Sequence, residues 1–184
     1  MKTIFLIVGE SSSGKDSLVN ELCKNTGLKK LKSYTTRPRR KDEIEDSHIF
    51  ISEDDVKEYV NDMIAYTKIG NFEYFSTIEQ LYKSDVYIID SIGVDYMKFI
   101  TQYKNITDIR FVTIYINTPP ELRKDRALNQ RKDNPEVYYQ RVLDEQEQFT
   151  NFKACSKFDY AIKNVDFDKA YKILDSIIAA EHEV

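Results

Sequence analysis

Residues 9–15 read Gly-Glu-Ser-Ser-Ser-Gly-Lys, the G-x-x-x-x-G-K spacing of a loop whose backbone N–H groups converge on phosphate oxygens. Gly9 and Gly14 let the chain turn so that successive amides, including those of Ser11, Ser12 and Ser13, face inward. A helix opening at Lys15 adds its positive end. Lys15 supplies a mobile charge that follows the outer phosphates of a nucleoside triphosphate. The expected cofactors are therefore ATP and Mg2+. The next residue is Asp16, where this pattern carries a Ser or Thr on the metal. Either Asp16 holds the magnesium ion, directly or through water, or the metal rests mainly on the nucleotide; Ser17 is adjacent, although it points elsewhere on the helix.

A second group of residues suits a different phosphate. Residues 33–40 read Ser-Tyr-Thr-Thr-Arg-Pro-Arg-Arg. Arg37 and Arg40 can close on a phosphate from two sides, because each guanidinium binds its oxygens in a fork. The hydroxyls of Ser33, Thr35 and Thr36 can complete the shell. This segment lies inside a run of seven basic residues with no acid, residues 29–41, in a chain of net charge −4. A local basic cluster on an acidic protein points to an anionic ligand of small footprint. One cradle for ATP and a separate clamp for another phosphate imply phosphoryl transfer onto a small-molecule acceptor.

The elements that must hold these groups are legible as alternating strands and helices. Residues 3–8, TIFLIV, form a continuous apolar run rich in β-branched residues, as in a strand buried on both faces. Further strands are expected at 86–89, at 111–116 and at 160–162; the second of these is stopped by Asn117, Thr118 and the Pro119-Pro120 pair. Helices are expected at 15–24, 121–128, 135–149 and 168–180. This order predicts an α/β protein with a P-loop, a parallel sheet and a three-layer α/β/α core. Between 33 and 77 the texture changes to short alternating segments such as His48-Ile49-Phe50-Ile51 and Glu73-Tyr74-Phe75-Ser76. These read as a small inserted β-rich module, antiparallel with one solvated face, that binds the acceptor. The expectation is a single domain over 1–184, with its core at 1–32 and 78–184 and the insert at about 33–77.

Composition excludes several classes. With 184 residues, 41% apolar and 32% charged, the chain suits one folded domain and is far from a disordered composition. Its acidic balance disfavours nucleic-acid binding. No stretch approaches the roughly 18 apolar residues of a membrane span, and the run at 3–8 is too short for a signal-peptide core. Cys23 and Cys155 have neither metal-ligand nor redox spacing. A cytoplasmic protein is expected, monomeric or homodimeric, with a small-molecule partner and neither nucleic acid nor membrane.

On these motifs the chain resembles the guanylate kinase family, whose acceptor segment runs Ser-x-Thr-Thr-Arg-x-x-Arg. The resemblance extends over the phosphate loop, 48–52, 74–77, 90–93, the arginines between 126 and 141, and 164–171. It implies a nucleoside monophosphate kinase, GMP or dGMP being the first choice of acceptor. Ser33, Arg37, Arg40 and Tyr74 would hold the acceptor phosphate, and His48 stands where the family has another phosphate-binding Tyr. Ser76 and Asp90 match positions that face the base. Arg126, Arg131 and Arg141 match a helical lid, about 126–142, that closes over the ATP phosphates, and Asn164 matches a position beside the adenine. The match departs at Ala65, where the family carries a guanine-reading Glu; at Ile88, in place of a second Asp; and at Phe75, in place of Gly. Asp16 and His48-Ile49 also resemble the ribose bisphosphate phosphokinase branch, which lacks the full arginine clamp and ranks second beside a broader deoxynucleoside monophosphate kinase. A guanylate kinase-like peptide-binding module and an ATP hydrolase are the remaining alternatives. The intact Gly9, Gly14 and Lys15 disfavour the first, and the acceptor clamp disfavours the second.

Overall fold

The computed structural model describes residues 1–39, 48–69 and 71–182. Strand β1 (Lys2–Val8) is buried from Ile4 onward. Its side chains alternate between two cores: Ile4, Leu6 and Val8 enter one, Phe5 and Ile7 the other. A strand apolar on both faces requires cover on both. Helix α1 (Lys15–Thr26) covers one face with Leu18, Val19 and Leu22. Gly27 stops that helix in the left-handed conformation, its N–H returning to the Cys23 carbonyl.

The insert follows. Strands β2 (Tyr34–Thr35), β3 (Ile49–Phe50), β4 (Met63–Ile69) and β5 (Phe72–Thr77) form a second sheet in the order β3-β2-β5-β4. A 3-10 turn (Glu53–Asp55) and the short helix α2 (Val56–Tyr59) join β3 to β4. The pairs β2–β5 and β4–β5 are antiparallel, as expected, with an irregularity between Met63 and Ala65. The pair β2–β3 is parallel, which corrects the expectation of an antiparallel insert. The connection of residues 36–48 is long enough to return the chain to the start of β2, as a parallel neighbour demands.

The chain re-enters the core through α3 (Ile78–Lys83), which Thr77 and Gln80 open with a reciprocal capping box. Strand β6 (Val86–Ile88), helix α4 (Ser91–Tyr103), strand β7 (Ile109–Asn117), helix α5 (Pro120–Asp125), a π-helical turn (Arg126–Gln130), helix α6 (Pro135–Ala154), strand β8 (Tyr160–Lys163) and helix α7 (Phe167–His182) complete it. The core sheet has the order β6-β1-β7-β8, every pair parallel. Its second face is covered by Val94 and Met97 of α4 and by Phe149 and Phe152 of α6, whereas Ala170, Leu174 and Ile178 of α7 join α1 on the first. Three layers result.

Helix α4 lies where no helix was assigned from the sequence, although Val94, Met97 and Thr101 keep a helical spacing on its buried side. Helix α6 outruns its expected end at 149 by a full turn, because Phe149 and Phe152 must both reach the core. The expected helix at 121–128 breaks after Asp125 into the π turn, which re-aims Arg126.

Candidate active site

All four core strands end at the same edge of the sheet, and each delivers a polar residue there. The phosphate loop follows β1, Asp90 follows β6, Thr118 follows β7 and Asn164 follows β8. Ligands of open parallel sheets bind outside these carboxyl ends.

The phosphate loop is held in shape from several sides. Gly14 has φ 87°, and a Cβ there would stand 2.6 Å from Asn164 Nδ2 and 3.0 Å from Arg126 Nη1. At Gly9 a Cβ would meet the Ile116 carbonyl of β7 at 2.9 Å. Ser12 also takes a left-handed φ of 64°, and its Oγ accepts from Arg131 Nη2 at 2.7 Å. The Ser13 carbonyl accepts from three side chains: Asn164 Nδ2 at 2.7 Å, Thr118 Oγ1 at 2.8 Å and Arg126 Nη1 at 3.0 Å. Arg126 Nη2 also donates to the Asn164 carbonyl at 3.1 Å, and burial draws its pKa below the usual arginine value.

Two loop positions that the motif leaves open carry specific contacts. Glu10 is 6% exposed. Its carboxylate accepts from Tyr115 Oη at 2.8 Å and Lys153 Nζ at 3.1 Å, with Arg123 at 3.9 Å. Burial, then the adjacent carboxylate, pushes the Tyr115 phenol up from its ordinary pKa. Ser11 donates its N–H to Glu145 Oε2 at 2.8 Å and its Oγ–H to Oε1 at 2.6 Å. Both of these variable positions are thus tied to α6.

Among the cavities that border the loop, one of about 490 Å3 is lined by Ser12, Gly14, Ser17, Arg126, Arg131 and Asn164. The buried Asn164 Oδ1 has no partner among the described residues and offers an acceptor in that wall. Another, of about 520 Å3, lies between the two sheets and brings together Lys15, Ser33, His48, Tyr74, Asp90 and Arg141. Consecutive loop residues, Gly14 and Lys15, thus face different cavities.

Other sequence-derived residues sit differently. Arg37 is 9% exposed; its Nη1 donates to the Pro38 carbonyl at 2.9 Å and its guanidinium lies 5.6 Å from the Phe50 ring centre. Arg40 lies outside the described residues. His48 and Tyr74 meet edge to face at 5.8 Å. Ser76 is fully buried behind Ser33, at 3.1 Å between hydroxyls. Asp90 caps α4 through Oδ1 to the Gly93 N–H at 2.6 Å. Asp16 is exposed and lies 3.8 Å from Lys30. Glu73 accepts from Tyr66 Oη at 3.2 Å.

Among the described residues, no three acidic, His or Cys side chains converge as a metal cage. Ser17 lines the cavity that holds Arg126 and Asn164, whereas Asp16 lies toward Lys30 and lines neither cavity; a magnesium ion here would draw most of its ligands from nucleotide phosphates and water.

The sequence reading missed Glu145, Glu10 and Tyr87, the last of which hydrogen-bonds Ser76 and Ser33. Two signals were present. Glu145 follows Arg141 by one helical turn, on the same side of α6, and an acid inside a phosphate loop must find cations if it is buried.

A loop of this kind at the carboxyl edge of a parallel sheet, with a second cavity beside it that Lys15 and Arg141 line, defines the class of P-loop α/β nucleotide-binding proteins. The sequence matches the family model described as guanylate kinase over residues 1–181. It is 31% identical to a guanylate kinase of Legionella pneumophila (strain Paris), covering 96% of this chain and 85% of the relative. It is also 31% identical to a guanylate kinase of Rickettsia felis, covering 98% and 94%. The crystal structure of guanylate kinase from Anaplasma phagocytophilum superimposes with a TM-score of 0.62 at 21% identity, over 98% of this chain and 86% of that one. The chain belongs to the guanylate kinase family. No helix among the described residues is long and apolar enough to cross a membrane.

Proposed function

We propose that this chain transfers the terminal phosphoryl group of ATP to the phosphate of GMP, forming ADP and GDP. The observation that carries this reading is the loop shared by two cavities: Gly14 borders one and Lys15 the other. A phosphate chain bound along the loop would present its outer end towards an acceptor held between the sheets. The cavity with Arg126, Arg131, Ser17 and Asn164 takes ATP, and the cavity with Ser33, His48, Tyr74 and Asp90 takes the monophosphate. Arg37 and Arg40 would complete the acceptor-phosphate shell when the insert, about 33–77, closes on the core. The guanylate kinases among the relatives favour a nucleotide acceptor over ribose bisphosphate.

The acceptor oxygen is already anionic, so transfer needs no strong base. The difficulty is to hold two polyanions in line. Lys15 spans the junction as a point charge, and Arg141, on the acceptor side, offsets negative charge that builds up between donor and acceptor. Bound magnesium would neutralise the β- and γ-phosphates and draw most of its ligands from them and from water. Closure of the lid, about 126–142, would exclude water and suppress hydrolysis. The free thiols of Cys23 and Cys155 suit a reducing cytoplasm.

The test is an ADP-release assay over GMP, dGMP, the other nucleoside monophosphates and ribose bisphosphate. GMP should give the highest kcat/KM. Lys15→Ala should lower kcat by about two orders of magnitude or more. Arg37→Ala should raise acceptor KM about tenfold and leave the KM for ATP unchanged. Phosphate release without an acceptor, or a preference for ribose bisphosphate, would overturn the assignment.

A further inference from the structure

Helix α4 carries two apolar faces. Val94 and Met97 are buried in the core, whereas Ile92, Tyr96, Phe99 and Tyr103 are 57, 39, 61 and 78% exposed. The exposed four recur at steps of four, three and four residues, the spacing that keeps side chains on one seam for a partner helix. A surface helix needs one apolar stripe to join its core; the second stripe here is surplus to the fold. Its four side chains leave roughly 500 Å2 on one face, given that an aromatic side chain can bury on the order of 150–250 Å2. Two copies meeting through it would cover about 1,000 Å2 before any flanking contact, the size at which a specific interface begins.

The face is also complementary to itself. Beside Ile92, at the start of α4, a groove of about 430 Å3 lies between α4 and α6, lined by Ser91, Ile92, Asp95, Gln148, Phe152 and Lys157. The Ser91 hydroxyl is buried and has no partner among the described residues. At the other end of the helix Tyr103 projects, its ring stacked on Phe99 at 6.2 Å between centres. In an antiparallel pair of α4 helices with the twofold axis between Tyr96 and Phe99, Tyr96 of one meets Phe99 of the other. Tyr103 then stands level with Ile92, over the groove. A tyrosine suits that hole: its ring covers Ile92 and Phe152, and its hydroxyl offers a hydrogen bond to Ser91 or Asp95. The antiparallel order also sets each positive helix end against a negative one, and brings Asp95 opposite Gln102, an acceptor against a donor. A parallel pair would leave both grooves empty and set like helix ends together.

We propose that this chain forms a symmetric dimer in which α4 packs antiparallel on α4 of a second copy, each Tyr103 filling the other copy's groove. The occupant is a second copy because knob and hole lie on the same helix, as an isologous contact requires. The identity of the phosphate acceptor does not enter this inference.

Sedimentation of the whole chain from about 1 to 100 μM tests it, a range that spans the affinity expected of an interface this small. The unaltered protein should pass from monomer to dimer as concentration rises. Tyr96→Lys and Phe99→Glu each replace an exposed ring with a charge, and each should weaken dimerisation about tenfold or more. An equimolar mixture of the two should dimerise again, because the introduced ammonium of one copy meets the introduced carboxylate of the other; recovery also shows that both variants fold. Tyr103→Ala should weaken dimerisation about tenfold, as for a central anchor of an interface. An unaltered chain that stays monomeric at the highest concentration overturns the proposal and leaves the stripe to a different protein. A Phe99→Glu chain that still dimerises places the contact elsewhere, and a mixture that stays monomeric rules out the antiparallel register.

Discussion

Gly14 is the residue at which the loop tolerates least. Its positive φ excludes side chains on backbone grounds alone, at about 1–2 kcal/mol, and Asn164 and Arg126 close the space a Cβ would need. Gly14→Ala should therefore act twice. The midpoint of thermal unfolding should fall by several degrees, and the KM for ATP should rise about tenfold or more as Asn164 and Arg126 are displaced from the Ser13 carbonyl. A differential-scanning measurement paired with ATP titration of the rate would separate the two effects. Arg126 illustrates how a single side chain can serve the fold and the site together. Its guanidinium braces the loop through Ser13 and the β8 end through Asn164, while it also lines the cavity beside Ser12 and Ser17.

Helix α6 joins the two sides of the site. Arg141 lines the cavity between the two sheets, Glu145 takes the Ser11 amide and hydroxyl, and Lys153 reaches Glu10. A carboxylate occupying two donors of the phosphate loop is an internal anion in a place built for anions. Glu145→Ala should destabilise the nucleotide-free protein by about 1–2 kcal/mol, the range for hydrogen bonds to a charged group that is partly solvated. The deficit in thermal midpoint should shrink at saturating ATP, where phosphate oxygens satisfy the same loop; a deficit that stays constant would count against this overlap. The sequence made some of this legible and hid the rest. Gly9, Gly14 and Lys15 sit in one short run, so their spacing alone announces a phosphate loop, and the apolar run of β1 announces a doubly covered strand. Glu145 and Ser11 are 134 residues apart, and no local pattern encodes which acid on a charged helix will meet which amide. Tyr87 was hidden for a related reason. In VYII it reads as one more core residue, and its hydroxyl acquires meaning only when the insert folds over β6. The parallel pair β2–β3 escaped because strands of two residues carry almost no period.

At the scale of the whole molecule, the edge of the core sheet is secured by Asp85, just before β6. Its carboxylate accepts from Lys2 Nζ at 3.0 Å and from the Lys29 N–H at 2.9 Å. Burial works to raise its pKa, but the Lys29 amide and the Lys2 ammonium outweigh burial and hold the group below the ordinary aspartate value. The unfolded chain therefore takes up this proton first as pH falls. The stabilisation is complete above the unfolded value, about 3.9, and disappears as pH drops through the lower folded value. Asp85→Asn should reduce stability at neutral pH and flatten the loss below about pH 4, as read from urea midpoints across that range. A variant whose acid limb keeps the unaltered slope would remove Asp85 from this role. The sharing of one loop by two cavities has a further consequence for the direction of the reaction. Passing a phosphoryl group across the loop breaks one phosphoanhydride and makes another, and the total negative charge beside Lys15 and Arg141 is the same before and after. The cations of the site thus gain nothing by preferring products to reactants, and the relative supply of the four nucleotides, not the protein, decides which way phosphate flows.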